Sequence, residues 1–242
     1  PQGGSDPNLF RTSAVQDGDE WVINGEKWFT SAGRVADILF VMCTNGMFVV
    51  PRETPGVEIM PEPRNHNHII YRDVRVPLDH LLGPQDGAKV LAQRRLGGGR
   101  IHHAMRTIGL AQKALDMMCE RVLSRHTAGS LLADKQAVQG YIADSYAQLK
   151  QFRLMVLFTA WEIDKYNDYK RVRKDIAAVK VVMPTVLHDI AWRAMQVHGA
   201  LGVTNEMPFL GMVTGAAVMG LADGPTEVHK TTVAKQVLRD YS

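Results

Sequence analysis

Apolar positions along this chain change their period once, near residue 85. Upstream, short β-prone runs alternate with Gly, Pro and Asn. Trp21-Val22-Ile23 and Lys27-Trp28-Phe29-Thr30 flank Asn24-Gly25, a hairpin pattern. Ile38 to Met42 and Met47 to Val50 predict two more strands joined through Asn45-Gly46. Val57 to Ile59, Ile69 to Tyr71 and Val74 to Val76 add three short ones. So many short strands predict a small all-β barrel or sandwich over roughly residues 9–82.

Downstream, apolar residues recur three, four or seven apart, the helical period. The pattern predicts helices over about residues 86–124, 133–165 and 171–198, and a fourth from near Pro225. Pro184 should bend the third or restrict its start. Antiparallel packing into a four-helix bundle buries such stripes most simply. The expected fold class is therefore α+β, with a β-domain over residues 1–84 and a four-helix-bundle domain over 85–242. Gly97, Gly98 and Gly99 are costly inside the first helix. Either the backbone bends there or something comes too close for a side chain.

Composition narrows the function. With 242 residues, 45% apolar and 22% charged, the chain resembles an ordinary globular protein. A formal charge of +3 and the absence of a basic arm do not predict a nucleic-acid surface. No apolar run approaches the roughly 20 residues of a membrane helix. Cys43 and Cys119 cannot form a zinc cluster alone, and His66 with His68 lacks further metal ligands, so no metal site is expected. The opening PQGGSDPN carries no signal-peptide pattern and reads as a turn inside a protein.

Several stretches could carry chemistry. Ser5 and Asp6 follow Gly3-Gly4 in a turn whose amides could hold a polar group. Trp28 to Gly33 sets large rings beside hydroxyls at a strand end, suited to shielding a flat cofactor or simply to a core. Arg94, Arg95, Arg100 and Arg106 make either a solvated basic face or a phosphate site. His102 and His103 are adjacent and must point differently, so one should be buried or bonded to a neighbour. Gly199 and Gly202 could end a helix or present amides to a diphosphate. Asp223 suits a helix N-cap with Pro225 in the first turn, yet its apolar flank also suits a buried proton-abstracting carboxylate. Glu227, one turn on, could perform either task.

PQGGSD, WVINGEKWFTSAG, RLGGGRIHHAMRTIGLAQKAL, QVHGALGV and LADGPTEVH occur in an order that resembles the acyl-CoA dehydrogenase family, in the branch of its members 10 and 11. The resemblance covers almost the whole chain but not the family's N-terminal helical domain. It implies FAD at the junction of β-domain and bundle. By this resemblance Ser5 lies near acyl-CoA and flavin; Phe29 takes the place of a Trp beside the isoalloxazine. Thr30 and Ser31 belong to the same flavin-facing segment, Ser31 standing where a Thr commonly binds the flavin edge. Arg125 and Gln136, with Gln196, Gly199 and Ala200, match residues that reach FAD from a neighbouring subunit. By the same resemblance Ala200 stands where a second Gly is usual, and Ala128 where a Phe is common on the adenine side. The segments at Thr44–Met47 and Pro63–Ile69 look short for the family.

Asp223 takes the position of the family's catalytic Glu, one methylene shorter, and with Gly224 it faces the substrate. Arg100 supports that segment, while Thr226 and Glu227 could orient the base or the flavin. The resemblance implies oxidation of a saturated acyl-CoA to a trans-2-enoyl-CoA. The base removes a Cα proton and FAD takes the Cβ hydride. It further implies a homodimer or dimer of dimers with shared FAD sites, and an electron-transfer flavoprotein as acceptor. Rival readings are a related flavoenzyme acting on a nitroalkane or hydroxylated acyl-CoA, and a non-catalytic helical scaffold. Cytoplasm, mitochondrion and peroxisome are all compatible with the composition.

Overall fold

The computed structural model describes residues 2–61 and 66–241. Part of the short 63–69 segment therefore lies outside the described residues. Two compact units divide the chain, residues 1–95 and 96–242.

The first unit contains β1 (Ser13–Asp17), β2 (Glu20–Ser31), β3 (Ile38–Cys43), β4 (Gly46–Pro51), β5 (Val57–Ile59) and β6 (His66–Pro77). They form two open antiparallel sheets, one ordered β1-β2-β6-β5 and the other β3-β4, so the barrel alternative is not realised. Alternate side chains from both sheets share one core, where Trp21 meets Phe48 edge-on at 5.3 Å.

The Asn24-Gly25 hairpin is corrected. β2 runs straight through it, and its pairing with β6 shifts register between Ile23 and Gly25. Asn24 satisfies the irregularity by accepting from the Asp73 amide at 2.9 Å and donating to the Asp73 carboxylate at 3.0 Å. Gly25 is required there: its φ is +143°, and a Cβ would meet the Thr12 backbone Cα at 2.7 Å. A second shift, between Lys27 and Thr30, sets Trp28 and Phe29 against His68 alone. That is a β-bulge.

Residues 88–239 hold five α-helices, against the four expected: α1 (Ala88–Ser124), α2 (Gln136–Tyr166), α3 (Arg173–His198), α4 (Phe209–Leu221) and α5 (Thr226–Arg239). A small hairpin, β7 (His126–Thr127) and β8 (Ser130–Leu131), lies between α1 and α2. The unexpected helix is α4, whose FLGMVTGAAVMGL has no polar face to reveal a period. Within the second unit, α1 to α4 contribute to one core around Met118, Phe152, Met183, Ile190 and Phe209. Gly97 lies within α1 without a break, and its added Cβ would stand 2.7 Å from the Tyr169 ring. Close approach, not a bend, accounts for that glycine. α3 likewise runs through Pro184 as one helix. No described helix is long and apolar enough to cross a membrane.

Candidate functional site

A helix ends with carbonyls that no helical N–H can meet, and these need other donors. At the end of α4 they come from three other helices. Lys180 of α3 donates to the Met219 and Ala222 carbonyls, both at 2.7 Å. Thr226 of α5 donates to the Gly220 carbonyl at 3.2 Å. The Asp223 carbonyl accepts from Arg100 Nε of α1 at 3.1 Å and lies 3.3 Å from His229 Nε2 of α5. Cationic donors also complement the negative end of the α4 dipole.

Asp223 leaves this helix with φ +56°, followed by Gly224 at +107°. The left-handed turn strains Asp223 and is natural for Gly224. The expected N-cap role is corrected: Pro225 occupies the cap of α5, and no side chain caps that helix. Instead the Asp223 carboxylate meets His103 of α1, with Nε2 3.2 Å from Oδ2 and the Asp223 side chain only 14% exposed.

The surroundings resist added positive charge. Burial lowers Lys180 to about 8, with Arg100 acting the same way and Asp223 opposing. Burial and then Arg100 lower His229 to about 4, so its imidazole is neutral at pH 7 and donates through Nε2. His103 is also lowered, by burial first, with Lys180, Arg106 and His102 contributing and Asp223 opposing. Burial is the largest cause of the lowered Arg100 value too. A mostly shielded carboxylate on a fixed backbone can serve as a general base.

In the first unit, the β2 bulge turns successive rings outward. Trp28 is 49% and Phe29 60% exposed, and Phe29 has φ +56°. With Thr30, Phe40, Gly3 and Gly4 they line a cavity of about 700 Å³. Bulges re-aim side chains in this way. Ser31 lies just beyond, its Oγ 2.9 Å from His66 Nδ1. Ser5 is exposed in the turn closed by the Asp6 amide and Gly3 carbonyl, at 2.9 Å.

The remaining predicted residues are dispersed. Arg125 and Gln136 are exposed at either side of the β7–β8 hairpin, and Ala128 occupies its turn with φ +46°. Gln196, Gly199 and Ala200 are exposed where α3 ends, with Gly199 as its positive-φ cap. Gly202 leaves no room for a Cβ beside the Met195 backbone. Glu227 is exposed in the first turn of α5. Among the described residues no group of three or more His, Cys, Asp and Glu could hold a metal ion.

Sequence reasoning missed Lys180 and His229 and did not connect His103 with Asp223. Lys180 carried a signal, since it falls between Ile176 and Met183 at core spacing on α3 and is 1% exposed. A lysine on an apolar stripe needs acceptors. His229 offered no comparable mark.

Two family models match the chain: Acyl-CoA dehydrogenase, middle domain, over residues 1–69, and Acyl-CoA dehydrogenase, C-terminal domain, over residues 85–238. The Mycobacterium tuberculosis protein named "Probable acyl-CoA dehydrogenase FadE2" is 39% identical, across 97% of this chain and 62% of its own length. Human acyl-CoA dehydrogenase family member 11 is 35% identical, across 98% of this chain and 33% of its own length. Among solved structures, butyryl-CoA dehydrogenase from Megasphaera elsdenii superposes with a TM-score of 0.89 at 25% identity, covering 98% of this chain and 66% of that one. The chain thus spans under two thirds of these relatives.

Proposed function

The chain belongs to the acyl-CoA dehydrogenase family, and we propose that it supplies the base and the flavin-facing surface of an enzyme that oxidises saturated acyl-CoA to trans-2-enoyl-CoA. The observation that carries this reading is the Asp223 carboxylate, 14% exposed on a turn held by three other helices. Asp223 takes the proton from substrate Cα, and its backbone N–H is the chain's own donor toward the thioester oxygen, where negative charge develops. Arg100 fixes the turn through the Asp223 carbonyl.

FAD, when bound, supplies the two-electron acceptor for the hydride leaving Cβ. The residues fit such a group, because Trp28 and Phe29 stand out from the sheet beside the Thr30 and Ser31 hydroxyls. Ser5 and Gly224 border the acyl-CoA, while Thr226 and Glu227 orient the base or the flavin. The Thr226 O–H is committed to the Gly220 carbonyl, so its oxygen is the atom left to accept a bond. Arg125, Gln136, Gln196, Gly199 and Ala200 reach the FAD of a neighbouring copy in a homodimer or dimer of dimers. An electron-transfer flavoprotein then accepts the electrons. The domain boundary falls between Pro84 and Gln85. The first domain is a sandwich, and α1, α2, α3 and α5 form the antiparallel bundle, with α4 as the added helix that delivers Asp223.

Anaerobic addition of a panel of acyl-CoAs to the full-length protein, followed by visible absorbance, tests this. One chain-length class should bleach the flavin. Asp223→Asn should retain FAD and slow bleaching by about 10²–10⁴-fold, the range for a lost general base. Flavin that no acyl-CoA reduces would overturn the substrate, and a protein that takes up no FAD would overturn the enzyme.

A further inference from the structure

The two carbonyls that Lys180 meets have different consequences. Met219 lies in the last turn of α4, and its carbonyl is one of those a helix leaves without an N–H. The Ala222 carbonyl belongs instead to the peptide that joins Ala222 to Asp223. That peptide is planar and trans, so its N–H, the Asp223 amide, points opposite to its C=O. Whatever holds the carbonyl therefore aims the amide. Lys180 Nζ stands 2.7 Å from this oxygen, a short distance typical of a charged donor, and the residue is 1% exposed. An ammonium on a carbonyl oxygen also polarises the peptide and makes its N–H a stronger donor.

We propose that Lys180 is the positioning residue for the thioester oxygen's donor: through the Ala222 carbonyl its ammonium aims the Asp223 N–H and strengthens it as negative charge develops on that oxygen. This rests on the functional reading above, which supplies the donor. Lys180 acts only through the peptide. A neutral amine retains two N–H groups for the two carbonyls, so losing the proton keeps the turn in place and removes the polarisation. Burial brings that loss within reach by lowering Lys180 to about 8, with Arg100 acting the same way and Asp223 opposing. Other groups around Lys180 do not change charge there. His103 and His229 are lowered and already neutral, and Arg100 keeps its charge. Turnover should therefore be fastest while Lys180 is charged and slow as pH rises through about 8.

Steady-state kinetics of the full-length holoenzyme across neutral and alkaline pH, in wild type and Lys180→Met, separate this role from packing. Wild-type kcat should fall by about 3–10-fold as the charge is lost, with KM little changed. Lys180→Met should lose about 10–100-fold in kcat at neutral pH, less than removal of an oxyanion donor itself, and show no alkaline fall. A flat wild-type profile, or an equal fall in the variant, would overturn the proposal, because packing carries no charge to titrate. Where the variant takes up no FAD, wild type decides alone, through infrared difference spectra of bound trans-2-enoyl-CoA labelled with ¹³C at its carbonyl. The carbonyl stretch should rise in frequency as pH passes about 8 and the N–H weakens. A constant frequency would sink the inference. If no acyl-CoA bleaches the flavin, the functional reading fails by itself, and ¹⁵N-aspartate-labelled protein still reports on the peptide. Its Asp223 amide proton should move upfield over the same pH range, and an unmoved signal would show that Lys180 does not polarise it.

Discussion

The end of α4 and the bulge in β2 share a backbone device but are secured differently. Asp223, just past α4, and Phe29, at the bulge inside β2, both have φ +56°, a region that L-residues enter only when their surroundings compel it. At Asp223 the compulsion is distant in sequence: Arg100, Lys180 and His229 reach carbonyls of the same turn from three helices. At Phe29 it is the register of β2 against β6, and the ring itself is 60% exposed. The first position is held by buried polar contacts, so it should fail when any one donor is removed or recharged. The second should tolerate side-chain changes that leave strand pairing intact.

Lys180→Met gives the largest break in that comparison. Methionine fills the space but leaves two carbonyls without their donor, at about 1–3 kcal/mol each, partly offset by no longer burying an amine. A net loss of about 2–4 kcal/mol should appear in urea unfolding, with faster amide exchange confined to α4 and the start of α5. Lys27→Met in the other unit should cost well under about 1 kcal/mol, because that amine lies 4.8 Å over the Phe10 ring and burial already disfavours its charge. Equal losses would mean that α4 does not depend on its lysine.

Acid should separate the two units next. His229 titrates near 4 in the folded protein against 6.5 in a free chain. Between those values the unfolded chain binds more protons, so stability rises with pH and is fully present above about 6.5. Acidification to pH 4 should therefore remove about 3 kcal/mol through this residue, a difference that His229→Asn should abolish. Lys180 behaves similarly at alkaline pH, adding stability as pH rises from about 8 toward 10.5. A wild-type acid midpoint unchanged in His229→Asn would show that this imidazole is not held neutral by the fold.

How much could be read in advance follows from the range of each interaction. Alternation made the strands legible, but β2 and β6 were each read as two, since Asn24-Gly25 looks like a turn and the runs Ile69 to Tyr71 and Val74 to Val76 look separate until paired across a bulge. α1, α2, α3 and α5 carried helical stripes, whereas α4, apolar on every side, had no period to detect. Asp223 stood out because a carboxylate sits among Met219, Leu221 and Ala222. Its capping role was misjudged, since the left-handed turn at Asp223 and Gly224 carries the side chain away from α5. Lys180 lies 42 residues before the Ala222 carbonyl that it reaches, and His229 lies 6 after the Asp223 carbonyl. Only Lys180, misplaced on an apolar stripe, announced that something polar must meet it.

Gly97 provides the smallest and sharpest test, because two opposing effects of similar size act on one atom. Alanine in a helix interior gains about 1 kcal/mol over glycine. Its Cβ would, however, stand 2.7 Å from Tyr169 Cδ1 and 3.0 Å from Cε1, forcing the ring to shift at about 1–3 kcal/mol. Tyr169 is 39% exposed, which places the cost toward the lower part of that range. Gly97→Ala alone should then be destabilising by up to about 1 kcal/mol. In a Tyr169→Ala background the same substitution should stabilise by about 1 kcal/mol, since only the propensity gain remains. Stabilisation in both backgrounds would show that Tyr169 yields freely. Destabilisation in both would mean that a contact other than this ring keeps position 97 a glycine.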